Sequence, residues 1–140
     1  MQPDERIVRF LRRHHVLTLA TAGGDGAPYC AHAFYCYDRE RNLLVFAAGD
    51  ETLHGREMAA HTQVAFAAAL ETRVVGRVQG IQGCGIAAEA DAAARKSYIA
   101  RFPYAAAMPG LRLWSITPTF LKLTDNTLGF GKKLIWNAQE

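Results

Sequence analysis

Several signatures of chemistry are missing from this 140-residue chain. It holds only three cysteines, Cys30, Cys36 and Cys84, with no CxxC pair, which argues against both a disulfide framework and a structural zinc site. Reduced, mostly buried thiols are the expectation. Its two serines, Ser97 and Ser115, lie outside any GxSxG elbow, so a serine hydrolase is not supported. No HExxH occurs among the five histidines. His54 and His61 would stand two helical turns apart, about 10 Å of rise, too far for one metal ion. No metal site is therefore expected.

Long apolar runs are absent too: none approaches the roughly 20 residues of a membrane helix, and the opening MQPDERIVRF lacks the apolar centre of a secretion signal. A cytoplasmic protein without a membrane partner is the expectation. The net charge of +3 and the pI near 8.9 come from cations interspersed with acidic residues, so nothing prompts a nucleic-acid partner. The length suits one domain, 1–140, with its own core.

What is present is a run of elements. Residues 4–14 read as a helix, with Ile7, Val8 and Leu11 on one stripe, acids in the first turn and bases in the last. VLTLATA (16–22), a GGDG turn and PYCAHAFYCY (28–37) form a hairpin, and LLVFAA (43–48) a third strand. Thr52 is placed to cap a short helix near 53–61. VAFAAAL (64–70) and RVVGRVQGIQGCGIAAEA (73–90) read as strands, the glycines of the second suggesting curvature or a closely approaching group. A helix over 91–102 stops before Pro103. LRLWSIT and FLKLTD, on either side of Pro118, read as a strand pair before the tail. Connections this short require antiparallel strands, and an antiparallel barrel with helices at its rim fits best.

Two constellations deserve weighing. Cys30, His32, Phe34 and Cys36 share one face of the second strand, a pattern better explained by packing than by a Cys/His catalytic pair. The exit of the third strand, NLLVFAAGDETLHGREM, would place an anion near the Thr52 hydroxyl and the free N–H groups of the next helix, with His54 and Arg56 as cationic donors. A simple capped helix explains the same residues equally well. The tail TDNTLGFGKKLIW is not a P-loop, because Asn126 and Lys133 stand where Gly and Ser or Thr are needed.

That tail, with ARKSYIARFP (94–103), CAHAFY (30–35) and DETLH (50–54), resembles the YhbP-like family of small uncharacterised bacterial proteins, placed among the FMN-binding split barrels related to pyridoxamine 5'-phosphate oxidase. The resemblance spans nearly the whole chain. It implies a mainly β, six-stranded antiparallel split barrel with peripheral helices, forming a homodimer with FMN at the subunit interface. The phosphate would be held around Ala47, Ala48, Thr52 and His54. The ring would lie by Ala33, Phe34 and Tyr35 and near Gln79 to Gln82, with the partner subunit supplying a tryptophan and tail at the positions of Trp114, Lys132 and Trp136. Relatives often place Arg and Lys at the phosphate, where this chain has Ala47, Ala48 and His54, leaving Arg56 or a partner copy's tail lysines to supply charge. The expected function is an FMN-dependent oxidoreductase of unassigned substrate. The alternative is a non-catalytic small-ligand-binding dimer that has lost the flavin.

Overall fold

The computed structural model describes residues 1–140. The chain runs α1 (Glu5–Arg13), β1 (Val16–Ala22), β2 (Pro28–Asp38), β3 (Leu43–Ala47), α2 (Leu53–Ala60), β4 (Gln63–Ala69), β5 (Gln79–Glu89), α3 (Ala92–Arg101), β6 (Leu113–Asp125) and β7 (Lys133–Asn137), with 3-10 turns at Val75–Arg77, Pro103–Ala107 and Asn126–Leu128. All pairings are antiparallel in the order β3-β2-β1-β4-β5-β6-β7, and a β3–β6 pairing closes the first six into a barrel. No helix is long and apolar enough to cross a membrane.

Local chemistry accounts for the helix ends. The Asp4 carboxylate caps α1 by accepting from the Arg6 N–H at 2.8 Å, and the neighbouring Arg6 guanidinium holds its carboxyl down to a pKa of about 2. Thr52 caps α2 as expected, accepting from the Gly55 N–H at 3.0 Å while its own hydroxyl donates to the Gly49 carbonyl at 2.7 Å. Gly55 cannot carry a side chain there, since a Cβ would stand 2.3 Å from the Gly49 oxygen. Asp91 caps α3, which ends at Arg101 before Pro103.

The barrel interior is filled from every wall: Leu17 and Leu19 from β1, Tyr35 from β2, Phe46 from β3, Phe66 from β4, Ile81 from β5, and Trp114, Leu121 and Leu123 from β6, with Ile7, Phe10 and Leu11 of α1 entering from one end. The buried Tyr35 hydroxyl donates to the Leu11 carbonyl at 2.8 Å and ties helix to barrel. A second cluster lies outside the barrel, where Ala94 and Tyr98 of α3 cover Cys36, Val45 and Leu113. Burial there pushes the Cys36 thiol up to about 11, which keeps it protonated and unreactive. Cys30 and Cys84 are exposed, contrary to expectation, because they occupy outward positions on β2 and β5.

Two element readings need correction. Residues 73–78 are a turn and 3-10 segment, and the strand starts only at Gln79. LRLWSIT and FLKLTD are one strand, β6, running straight through Pro118. The proline is tolerated because it adjoins a bulge in β6, where Thr119 is left unpaired opposite Cys84/Gly85, after β6 has left β3 at Ile116 and before it meets β7 at Phe120. A missing N–H costs nothing at a bulge or unpaired edge.

Gly83 shows why β5 is rich in glycine. A Cβ there would lie 2.3 Å from the buried Phe66 ring, which covers the bare backbone of its cross-strand neighbour. Gly83→Ala is predicted to destabilise the fold by about 1–3 kcal/mol, and Phe66→Leu in the same chain to restore part of that loss. A urea-denaturation double-mutant cycle would check the coupling; strict additivity would contradict the packing described.

Candidate functional site

The barrel is split where β3 parts from β2. Their pairing covers only Tyr35 to Asp38, so Pro28–Phe34 has β1 on one side and no strand on the other. Beside this opening lies a cavity of about 570 Å³, lined by His32, by Ala47 to Thr52 and His54 at the β3 exit, and by Met108 to Arg112 ahead of β6. A volume of this size lies in the range of about 300–1,000 Å³ typical of small-molecule sites.

Four of the residues expected to hold a phosphate, Ala47, Ala48, Thr52 and His54, line this one cavity. The Thr52 hydroxyl is spent on the cap and on Gly49. The backbone N–H groups of Leu53 and His54 are not: the cap serves Gly55, Arg56 bonds to the Thr52 carbonyl, and neither Leu53 nor His54 donates to any backbone acceptor outside its helix. Free N–H groups at the positive end of a helix dipole favour an anion. One cation at this cavity was missed from the sequence. Arg112 lines the cavity, paired with Asp50 at 3.3 Å and with Glu89. Only folding brings residues 50, 89 and 112 together, so no local spacing could have signalled it. Arg56 is turned away to donate to the Glu51 carbonyl at 2.8 Å. Asp50 and Glu51 also line the cavity and work against an anion.

The second strand divides the expected ring contacts. Ala33 packs on the barrel core and Tyr35 is fully buried with its hydroxyl committed to Leu11, so neither side chain faces a ligand. Strand alternation turns His32 and Phe34 outward instead. His32 reaches the cavity, its Nδ1 at 3.2 Å from the Thr18 hydroxyl. Phe34 is 59% exposed and lies 5.9 Å from Phe102, whose ring adjoins Tyr98 and Tyr104.

The remaining expected residues scatter. Trp114 belongs to the core, its buried Nε1 without a partner. Gln82 is exposed on the outer face, opposite Ala67 and Lys122. Gln79 accepts from Arg13 at the other end of the barrel, at 2.8 Å. The tail pairs with the far half of β6, where Leu134 and Trp136 pack against the chain's own core and the Trp136 Nε1 donates to the Met1 carbonyl at 3.0 Å. The tail pairs with β6 between Phe120 and Thr124, whereas the cavity is lined by Met108 to Arg112 ahead of that strand, so the chain's own Lys132 and Trp136 do not line it.

The outward faces of β1, β4 and β5 form a shallow hollow of about 510 Å³ among Ala20, Ala22, Ala65, Cys84 and Ile86. Exposed Val16 and Phe34, paired across β1 and β2, stand farther along the same outward face.

A closed six-stranded antiparallel barrel with rim helices and a split beside β3 defines the class of split-barrel proteins. The model of the family described as pyridoxamine 5'-phosphate oxidase matches residues 3–125. A UPF0306 protein of Photorhabdus laumondii is 40% identical over 134 residues, covering 93% of this chain and 92% of that protein. Among solved structures, a heme-binding protein from Mycobacterium smegmatis superposes with a TM-score of 0.75 at 18% identity, over 99% of this chain and 60% of that one. A FAD-binding protein from Mesorhizobium loti gives 0.69 at 15% identity, over 85% and 91%. The chain belongs to the UPF0306, or YhbP-like, family within the pyridoxamine 5'-phosphate oxidase-like split barrels.

Burial lowers the pKa of His54, with Glu51 partly opposing, and lowers that of His14, where Arg13 and His15 add to the effect. Below the ordinary value near 6.5 the unfolded chain therefore binds more protons than the folded one. Stability is predicted to be full above about pH 6.5 and to fall as the pH drops through the lowered folded values. Urea midpoints across this window should show the slope, and His14→Asn with His54→Gln should flatten it.

Proposed function

We propose that this protein binds FMN in the cavity at the β3 exit and acts as a homodimeric oxidoreductase on a small molecule. The observation that carries the reading is the convergence, in one cavity, of the start of α2 with its unspent N–H groups, the Arg112 guanidinium, and His32 on the outward edge of β2, next to which Phe34 stands exposed on the same strand face. These residues fit a flat aromatic ring attached to a phosphate. Leu53 and His54 would donate to phosphate oxygens through their backbone, and Arg112 would add a charge-assisted bond by exchanging a carboxylate partner for the ligand. Phe34 and Met108 would cover the ring and exclude water from it. The flavin would supply the electron chemistry, with the chain supplying binding, orientation and tuning.

The apolar outer face of β1, β4 and β5 supports a second copy docked there. Such a copy brings a tail with Lys132 and Trp136, residues that do not line the cavity of their own chain. The family and the FAD-binding neighbour support the cofactor class. A second reading, a binding module that holds its ligand without turnover, is favoured by Asp50 and Glu51 beside the anion position and by His32 and His54 on the same cavity, imidazoles that would also suit the porphyrin iron of the heme-binding neighbour's ligand.

Titration of the dialysed protein with FMN, riboflavin and hemin separates these readings. FMN is predicted to bind more tightly than riboflavin. Arg112→Gln should weaken FMN about tenfold, in keeping with a charge-assisted hydrogen bond, and leave riboflavin unchanged. Equal loss for both flavins would remove Arg112 from the phosphate. Saturable hemin binding with no flavin binding would favour the module.

A further inference from the structure

A separate cleft of about 210 Å³ lies at the opposite end of β5 and β6, between α1 and the turn after β6. Arg6, Arg9 and Arg13 recur at i, i+3 and i+7, so they project from one face of α1 into it together with Phe10. Gln79, Leu123, Asp125 and Thr127 form the other wall. At this volume the cleft falls below the roughly 300–1,000 Å³ of sites that take drug-sized ligands, and it suits a small ion or group.

The partners of each charge show what is unspent. Arg6 is held by Asp4 through two contacts of 3.0 Å. Asp125 makes no ion pair with any of the three arginines. Its Oδ1 instead accepts from the Thr127 N–H at 2.9 Å and the Thr127 hydroxyl at 2.6 Å. Arg9 has no hydrogen-bond or salt-bridge partner. Arg13 gives one N–H to Gln79 Oε1, and because a guanidinium only donates, that bond fixes the amide orientation and leaves Gln79 Nε2 as a further donor. Two guanidiniums without an anionic partner and an amide N–H group therefore line one cleft, with Phe10 and Leu123 as its apolar part. Arginine's planar fork matches phosphoryl oxygens in pairs.

We propose that this cleft is a binding site for a small phosphoryl dianion, held by Arg9, Arg13 and the Gln79 amide and independent of the flavin cavity. The ligand is either free phosphate or the phosphoryl end of a small monoester whose carbon stem rests on Phe10 and Leu123. Asp125 moderates the affinity by its own charge.

The test follows the phosphorus NMR signal of inorganic phosphate, and separately of glycerol phosphate, titrated with the full chain at constant ionic strength set by chloride. Saturable binding on the order of 1 mM is expected. Arg9→Gln with Arg13→Gln should weaken it at least about tenfold, and Asp125→Asn should strengthen it a few-fold through removal of the opposing charge. Both arginines are exposed, so unchanged urea midpoints will show that the fold is intact. Tighter binding of glycerol phosphate than phosphate assigns the monoester, and equal binding assigns the free ion. Absence of saturable binding overturns the proposal. So does binding that survives Arg9→Gln/Arg13→Gln but is lost in Arg112→Gln, which would place the phosphate in the flavin cavity.

Discussion

The structure depends on β6. This single strand pairs with β5 along its whole length, with β3 through its first half and with β7 through its second, so it both closes the barrel and anchors the tail. Closure at Ile116↔Leu44 through Leu113↔Ala47 fixes the end of β3. That in turn places the Gly49–Gly55 turn, the capped start of α2 and Arg112, which directly precedes β6, around one cavity. Without this pairing β3 would be an unsupported five-residue edge and the residues at its exit would have no common frame.

The same topology separates the two charged regions. Because β5 and β6 run antiparallel over eleven paired positions, their opposite ends present different surfaces. The cavity end sets one guanidinium, Arg112, against Asp50, Glu51 and Glu89, a net acidic set in which a ligand anion must compete with the chain's own carboxylates. The α1 end carries three arginines against Asp4 and Asp125, and of these Arg9 and Arg13 stand outside any ion pair. Exposed ion pairs of this kind add little to stability, so their arrangement bears chiefly on what can bind.

Much of the fold was legible in the sequence because local chemistry specified it. Thr52 and Asp91 cap the helices they precede, the stripe Ile7, Val8 and Leu11 faces the core, and the glycines of β5 mark curvature, Gly83 lying beneath Phe66. Pro118 misled because its usual meaning as a strand breaker is cancelled by a bulge in β6 at the next residue, Thr119, which only pairing reveals. The candidate site was legible in part. The β3 exit could be read from a cap and a strand end. The ring contacts could not all hold, since a strand turns alternate residues to opposite faces and Ala33, Phe34 and Tyr35 cannot all meet one ligand. Arg112 was invisible because its relation to residue 50 exists only in three dimensions, and the expectation of mostly buried thiols failed for Cys30 and Cys84 because the absence of a disulfide or zinc pattern does not fix which strand face a cysteine occupies.

On the proposed reading, that apolar outer face docks a second copy, whose tail completes a site that the chain's own tail does not line. Native mass spectrometry of the protein mixed with excess FMN tests this most directly. A dimer carrying two flavins is the predicted species. A monomer retaining one flavin, or a dimer retaining none, would contradict a cofactor site formed at the β3 exit and closed by the partner.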